Sequence, residues 1–254
     1  MTPNFSDQRQ RPSAPALSGL WRVRFLTSVD YPPFNFLDAR GRLAGLNVEL
    51  ARAICEELEI TDICQIEARP FEELLPALEA GEGEAIIAGL AVTAENRQAL
   101  AFTEPYFRYP ARFVASTELD LSASLAAGMS GRRVGVVQNT AHAAMLAAFF
   151  PAATATPLET RDAALTALRA GDVEAVFGDG VGLSFWLASE AAQGCCAFAG
   201  GPYLSDRFLG EGLAIAVRDE NATLADAFDD AIVRLVEKRR FSELLLRAFP
   251  ISAF

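Results

Sequence analysis

Apolar positions along this chain fall into short runs of two different periods, separated by polar and glycine-rich punctuation. Residues 21–29 (WRVRFLTSV) read as a first strand, and Tyr31-Pro32-Pro33-Phe34 as a stiff aromatic loop. Residues 37–43 suit a hairpin turn. Residues 47–58 carry apolar side chains at helical spacing, with Asn47 placed to cap the helix N-terminus. The strand pattern returns at 63–68. Thr93 predicts the cap of a helix over 94–100, and 111–116 read as a strand leading away from it. From Gly131 the pattern restarts, with a strand over 133–137, a polar turn at 138–140 and a helix over 141–149. A helix over 181–192, a strand over 213–217 and helices over 222–238 and 241–248 complete the chain.

One phrase within this pattern occurs twice. Leu75, Ala77, Leu78, Ala80, Gly81, Glu84 and Ala85 recur ninety residues later as Leu165, Ala167, Leu168, Ala170, Gly171, Glu174 and Ala175. Each copy reads as a helix, a glycine-terminated turn and a short apolar strand. A repeated αβ unit predicts an α/β fold of two similar lobes. The strand ends of facing lobes are a natural place to hold a small molecule. The expected division is lobe 1 over 20–108 and 213–254 and lobe 2 over 109–212, with two crossings, near 108–113 and 209–216, acting as a hinge.

Composition is consistent with that size of fold. The chain has 254 residues, of which 51% are hydrophobic, enough for one large domain or two ordinary lobes. No apolar run approaches the roughly 18 residues of a membrane-spanning helix. The net charge of −11 argues against a nucleic-acid partner, which needs clustered Lys and Arg. It serves solubility, and it favours a cationic or zwitterionic ligand over an anionic one. Residues 1–19 lack the apolar centre of a signal peptide and read as a flexible leader.

Several chemistries are excluded by absence. The only lysine, Lys238, lies in a Lys-Arg-Arg run, so there is no Walker lysine and no cleft lysine for a Schiff base. The single histidine, His142, rules out multi-histidine zinc sites and two-histidine facial triads, and no GxSxG elbow accompanies it. It reads as a helix-surface residue. No metal or cofactor is expected. Four cysteines show no CxxC spacing. Cys55 and Cys64 are either bridged, which requires an oxidising compartment, or two reduced buried thiols. The adjacent Cys195 and Cys196 are poor partners for each other and receive no role.

The stretches YPPFNFLDARGRLAGLNVELARAICEEL, AIIAGLAVTAENRQALAFTEPYF, GRRVGVVQNTAH, ALRAGDVEAVFGDG and GLAIAV occur in that order. Together, over about residues 20–250, they resemble the family 3 extracellular solute-binding proteins, the amino-acid receptors of ABC importers. The resemblance implies a type II periplasmic-binding-protein fold with two hinge crossovers. It also implies a monomeric, non-catalytic periplasmic receptor, with an amino acid or related amine as ligand and ABC permease subunits as partners. It implies a Cys55–Cys64 disulfide. Two alternatives share the scaffold: a cyclohexadienyl-dehydratase-like enzyme and a sensor ectodomain.

The resemblance also implies a site. Tyr31 stands where the family stacks an aromatic on the ligand, and Phe71 where a second apolar residue faces it; read without the family, both are ordinary core residues. Asp179 stands where the ligand ammonium is bound, or else caps the following helix. Gly89, Leu90 and Ala91 follow the first repeated strand, and backbone N–H groups there and at Thr140 suit an anion. The family's carboxylate-clamping arginine is replaced by Asn96, with Arg97 one residue later. A one-residue displacement on a helix is a rotation of about 100°, so Arg97 either reaches the ligand through its length or points to solvent. Ala91 and Ala141 lack hydroxyls usual at their positions. Ser28 stands where cation-preferring members carry an acid, which weakens a Lys/Arg preference, although Asp30 lies close by.

Overall fold

A computed structural model describes residues 21–119, 128–249 and 251; the expected leader lies outside the described residues. The chain forms two compact units, one from residues up to 108 with 211–248, the other from 109–210 with the residues from 249 onward.

Unit 1 begins with β1 (Val23–Thr27), buried at every position except Arg24, as a parallel strand covered on both faces should be. The short strands β2 (Asp30–Tyr31), β3 (Asn35–Leu37) and β4 (Leu43–Ala44) form a small antiparallel sheet. The carboxylate of Asp38 closes the hairpin by accepting the N–H groups of Arg40 and Arg42, at 2.8 and 3.0 Å. The helix α1 (Leu46–Glu57) is capped by Gly45, not by Asn47. Gly45 has φ +114°, and a Cβ there would lie 2.3 Å from the Phe34 carbonyl oxygen, so the close chain approach selects glycine. Asn47 is instead fully buried one turn inside. Its amide donates to Asn35 Oδ1, and its own oxygen accepts from the Tyr106 hydroxyl at 2.7 Å. β5 (Cys64–Ala68) pairs in parallel with β1, and the Cys55–Cys64 disulfide ties α1 to its start.

The first copy of the repeated phrase forms α2 (Phe71–Glu79) and β6 (Ala85–Ile86). The helix expected over 94–100 does not form. Thr93 Oγ1 does accept the Asn96 N–H at 3.1 Å, but it caps only a 3₁₀ turn over Asn96–Gln98. The next three residues, β7 (Leu100–Phe102), are drawn into the sheet.

Unit 2 runs β8 (Ala111–Ser116), β9 (Arg133–Val137), α3 (Ala141–Phe149), β10 (Thr154–Leu158), α4 (Arg161–Ala170), β11 (Ala175–Asp179), α5 (Gly180–Leu187), β12 (Cys196–Tyr203) and α6 (Asp206–Leu209). The strand order is β10-β9-β11-β8-β12. Alternate residues serve opposite faces. Phe113 and Phe177 pack with Val134, Met145 and Phe150, whereas Val114 and Val176 pack with Leu165, Leu168 and Leu183. The edge strands β10 and β12 contain Pro157 and Pro202, which an edge tolerates and which hides both from pattern reading. The helix expected over 181–192 stops at Leu187 and resumes as a 3₁₀ turn over Glu190–Ala192. The dismissal of Cys195 and Cys196 is overturned. They form a disulfide, in a turn entered through Gln193 and Gly194, both with positive φ.

The chain then returns to unit 1 as β13 (Ala216–Arg218), α7 (Ala222–Glu237) and α8 (Arg240–Ala248). β13 lies antiparallel between β6 and β7, giving the order β5-β1-β6-β13-β7. Phe249 belongs to unit 2, where its ring meets Phe185 of α5.

The two copies of the phrase build the same local structure. Gly81 and Gly171 both have positive φ, 72° and 78°, and their N–H groups donate to Leu78 and Leu168 at 3.1 Å. Ala85 pairs in parallel with Phe25, and Ala175 with Val134. The recurring glutamate explains itself. Glu84 donates its N–H to the Arg24 carbonyl and accepts the Arg24 N–H on its carboxylate; Glu174 does both with Arg133. Each side chain also pairs with an arginine, Arg22 or Arg133. The glutamate therefore clips each repeated strand to the start of the strand beside it.

Candidate functional site

In unit 1 the candidate residues lie beyond the carboxyl ends of β1 and β6, where open parallel sheets hold ligands. Tyr31 is half-buried, and its ring stacks on Phe34 at 5.0 Å, which meets Phe107 edge-on at 5.1 Å. Gly89, at φ +80°, lies directly against this ring; a Cβ there would be 2.8 Å from Tyr31 Cε1. Phe71, the first residue of α2, is 42% exposed, so it is not a core residue. Asp30 is exposed beside Tyr31. Leu90 packs against the core of unit 1 and Ala91 is exposed.

Three candidates have internal partners that their sequence positions did not reveal. Ser28 is buried and its hydroxyl accepts from the Asn35 amide at 2.8 Å. It ends a chain of hydrogen bonds running Tyr106–Asn47–Asn35–Ser28 that anchors the first loop from beneath. Burial pushes the Tyr106 phenol well above its ordinary range, so it remains a donor to Asn47. Asn96 directs its amide to the Ala91 carbonyl at 2.7 Å and so closes the 91–96 loop. Arg97 pairs with Glu211 at 2.7 Å, its guanidinium 5.8 Å from the centre of the Phe102 ring.

The returning segment is fixed to the outgoing one inside this unit. Phe107 and Leu213 form an antiparallel bridge. Thr103 donates its N–H to the Ile215 carbonyl and accepts the Ile215 N–H on its hydroxyl. On the outer side, Asp229 of α7 accepts the Glu104 N–H at 3.0 Å. Burial, with Glu104 and Asp226 adding to it, pushes the Asp229 carboxyl up to about 8.

In unit 2, Asp179 ends β11 and caps α5, accepting the N–H groups of Val181 and Gly182 at 3.1 and 2.9 Å. The capping role is therefore realised. It does not exhaust the group, because an ionised carboxylate has about four acceptor directions. Thr140 caps α3, accepting the Ala143 N–H at 3.2 Å and donating to the Val137 carbonyl at 2.7 Å. His142, expected on the surface, is half-buried on the first turn of α3, its ring 6.4 Å from that of Phe177. Burial draws the imidazole below its ordinary value, and nearby Asp179 partly opposes this. Arg112 is buried between Gly180 and Gly201 with its guanidinium 4.3 Å from the centre of the Phe198 ring.

Pattern reading missed Asn35, Asn47, His142, Arg112 and Glu211. The signal that would have found the asparagines is an uncharged amide inside an apolar run, since such a group is buried only with a partner. Among the described residues no cluster of His, Cys, Asp and Glu could hold a metal ion, and no helix is long and apolar enough to cross a membrane.

Residues 23–250 match the family described as bacterial extracellular solute-binding proteins, family 3. The chain is 31% identical over 246 residues to the L-arginine-binding protein of Pseudomonas aeruginosa, covering 95% of this chain and 93% of that one. It is 25% identical over 234 residues to the lysine/arginine/ornithine-binding periplasmic protein of Escherichia coli, covering 91% and 89%. Among solved structures it resembles the unliganded, open L-cystine solute receptor of Neisseria gonorrhoeae, with TM-score 0.74, 20% identity and coverage of 90% and 92%. That likeness gives the fold: a type II periplasmic-binding-protein fold.

Proposed function

Because this chain belongs to the bacterial extracellular solute-binding proteins of family 3, we propose that it is the periplasmic receptor of an ABC importer for a cationic amino acid of the arginine class. It binds its ligand without altering it and presents it to the importer's transmembrane subunits. The chief support is similarity over nine-tenths of the chain to relatives named for arginine, lysine and ornithine. The net charge of −11 points the same way.

The candidate residues divide the work by chemistry. Asp179 receives the α-ammonium on the acceptor capacity its capping bonds leave over. Tyr31 and Phe71 enclose the aliphatic stem, burying its methylenes against aromatic carbon. Asp30, exposed beside Tyr31, receives the side-chain cation in place of the acid absent at Ser28. Arg97 and the backbone around Gly89 and Ala91 receive the α-carboxylate. A second reading, an amine without an α-carboxylate, is favoured by one observation, that Arg97 already carries a carboxylate partner in Glu211.

Isothermal titration with L-arginine, L-lysine, L-glutamine and agmatine separates these readings, since agmatine is arginine without its carboxylate. Cationic amino acids binding at least tenfold tighter than both L-glutamine and agmatine is the expected result. Agmatine binding as tightly as L-arginine would move the assignment to the second reading, and preference for L-glutamine would overturn the cationic class.

A further inference from the structure

We infer that Glu211 is a specificity-determining residue, an internal carboxylate that competes with the ligand's own carboxylate for Arg97. The inference rests on the reading of Arg97 as the carboxylate-binding group. Arg97 Nη2 and Glu211 Oε2 are 2.7 Å apart, with side chains 50% and 44% exposed, and Phe102 lies beneath the guanidinium. The contact is thus made at the edge of unit 1, accessible to a solute rather than locked in its core.

Glu211 is held at this place by the backbone that follows it. Gly212 has φ +118°, and a Cβ there would lie 2.3 Å from the Phe107 carbonyl oxygen. The same carbonyl accepts the Leu213 N–H at 2.7 Å. The residue after Glu211 must therefore be glycine, and the glutamate springs from a fixed point of the returning segment. Arg97 is fixed comparably: its N–H donates to the Thr93 carbonyl at 3.0 Å, within the turn that Thr93 and Asn96 close.

A guanidinium presents its donors in a planar fork, and a carboxylate from either source fits that fork. Ligand and Glu211 are then alternatives at the same donors. A pair as exposed as this one resists displacement by only about two- to fivefold, which is small enough for an α-carboxylate to overcome and large enough to read in affinity. The device reduces affinity for every carboxylate ligand and leaves ligands without one untouched. It narrows the gap between an amino acid and its decarboxylated amine, a gap that the displaced arginine alone would leave wider.

The test is a set of titrations with L-arginine and L-argininamide, which differ only at the carboxylate, on wild type, Glu211→Gln, Arg97→Ala and the double variant. Competition predicts that Glu211→Gln tightens L-arginine about two- to fivefold and does not tighten L-argininamide, and that it has no effect on L-arginine once Arg97 is alanine. Unchanged or weakened L-arginine binding in Glu211→Gln, with Arg97→Ala still selectively impairing L-arginine, overturns the competition but leaves Arg97 as the clamp. Equal responses of the two ligands to Arg97→Ala overturn both. A wild type that does not bind L-arginine overturns the inference together with the proposed function.

Discussion

Asp179 carries two duties that a single substitution separates. Asparagine caps helices about as well as aspartate, so Asp179→Asn keeps an oxygen for the Val181 and Gly182 N–H groups while removing the charge. The expected outcome is a loss of about 2–5 kcal/mol in binding an ammonium ligand, read by titration calorimetry, with a melting temperature close to wild type. Asp229 carries a different consequence. Its folded carboxyl keeps its proton up to about 8, whereas an unfolded aspartate releases it near 3.8. Between those values the folded state holds more protons, so stability is greatest below the window and falls as pH rises through it. Asp229→Asn keeps an acceptor for the Glu104 N–H and removes the titration. Its thermal unfolding temperature should exceed that of wild type at pH 8, with the difference shrinking toward pH 4.5; no difference at pH 8 would contradict the assignment. What was legible at this scale depended on range. Tyr31, Gly89 and Asp179 stand at positions marked by local phrases. Asn47 and Glu211 act through Tyr106 and Arg97, residues 59 and 114 positions away in the chain, and no local pattern encodes such partners.

The elements most clearly legible were those whose pattern repeats. The duplicated phrase predicted two helix–turn–strand units, and the structure adds the reason for its invariant glutamate, the clip between adjacent strands. The two clips differ in burial, since the Glu84 side chain is 12% exposed and that of Glu174 30%. A charged hydrogen bond contributes about 1.5–3 kcal/mol when sheltered and less when wet. Glu84→Ala should therefore lower unfolding stability more than Glu174→Ala, as measured by urea titration; the reverse order would show that the clip is not what stabilises these strands. The elements misread were those in which tertiary pairing overrides local preference. Thr93 starts a helical turn as expected, but Leu100–Phe102 pair with β13 and end it. β10 and β12 escape detection because an edge strand need not alternate or exclude proline.

For the molecule as a whole, the sequence showed two α/β units and a chain that passes between them, and the family match covers residues 23–250. The same phrase ends at Gly89 in one unit and at Asp179 in the other, so the duplication builds the scaffold and the unlike end residues carry the chemistry. A bare glycine lets the Tyr31 ring approach the backbone, and a carboxylate offers charge to an ammonium. A receptor of this kind gains stability from its ligand by mass action. The most direct test is the unfolding free energy of the wild-type chain in urea, measured across a concentration series of L-arginine. The proposed function predicts a rise of about 1.4 kcal/mol for each tenfold increase in L-arginine above its dissociation constant. Unfolding that stays independent of L-arginine, L-lysine and L-ornithine up to millimolar concentrations would contradict it.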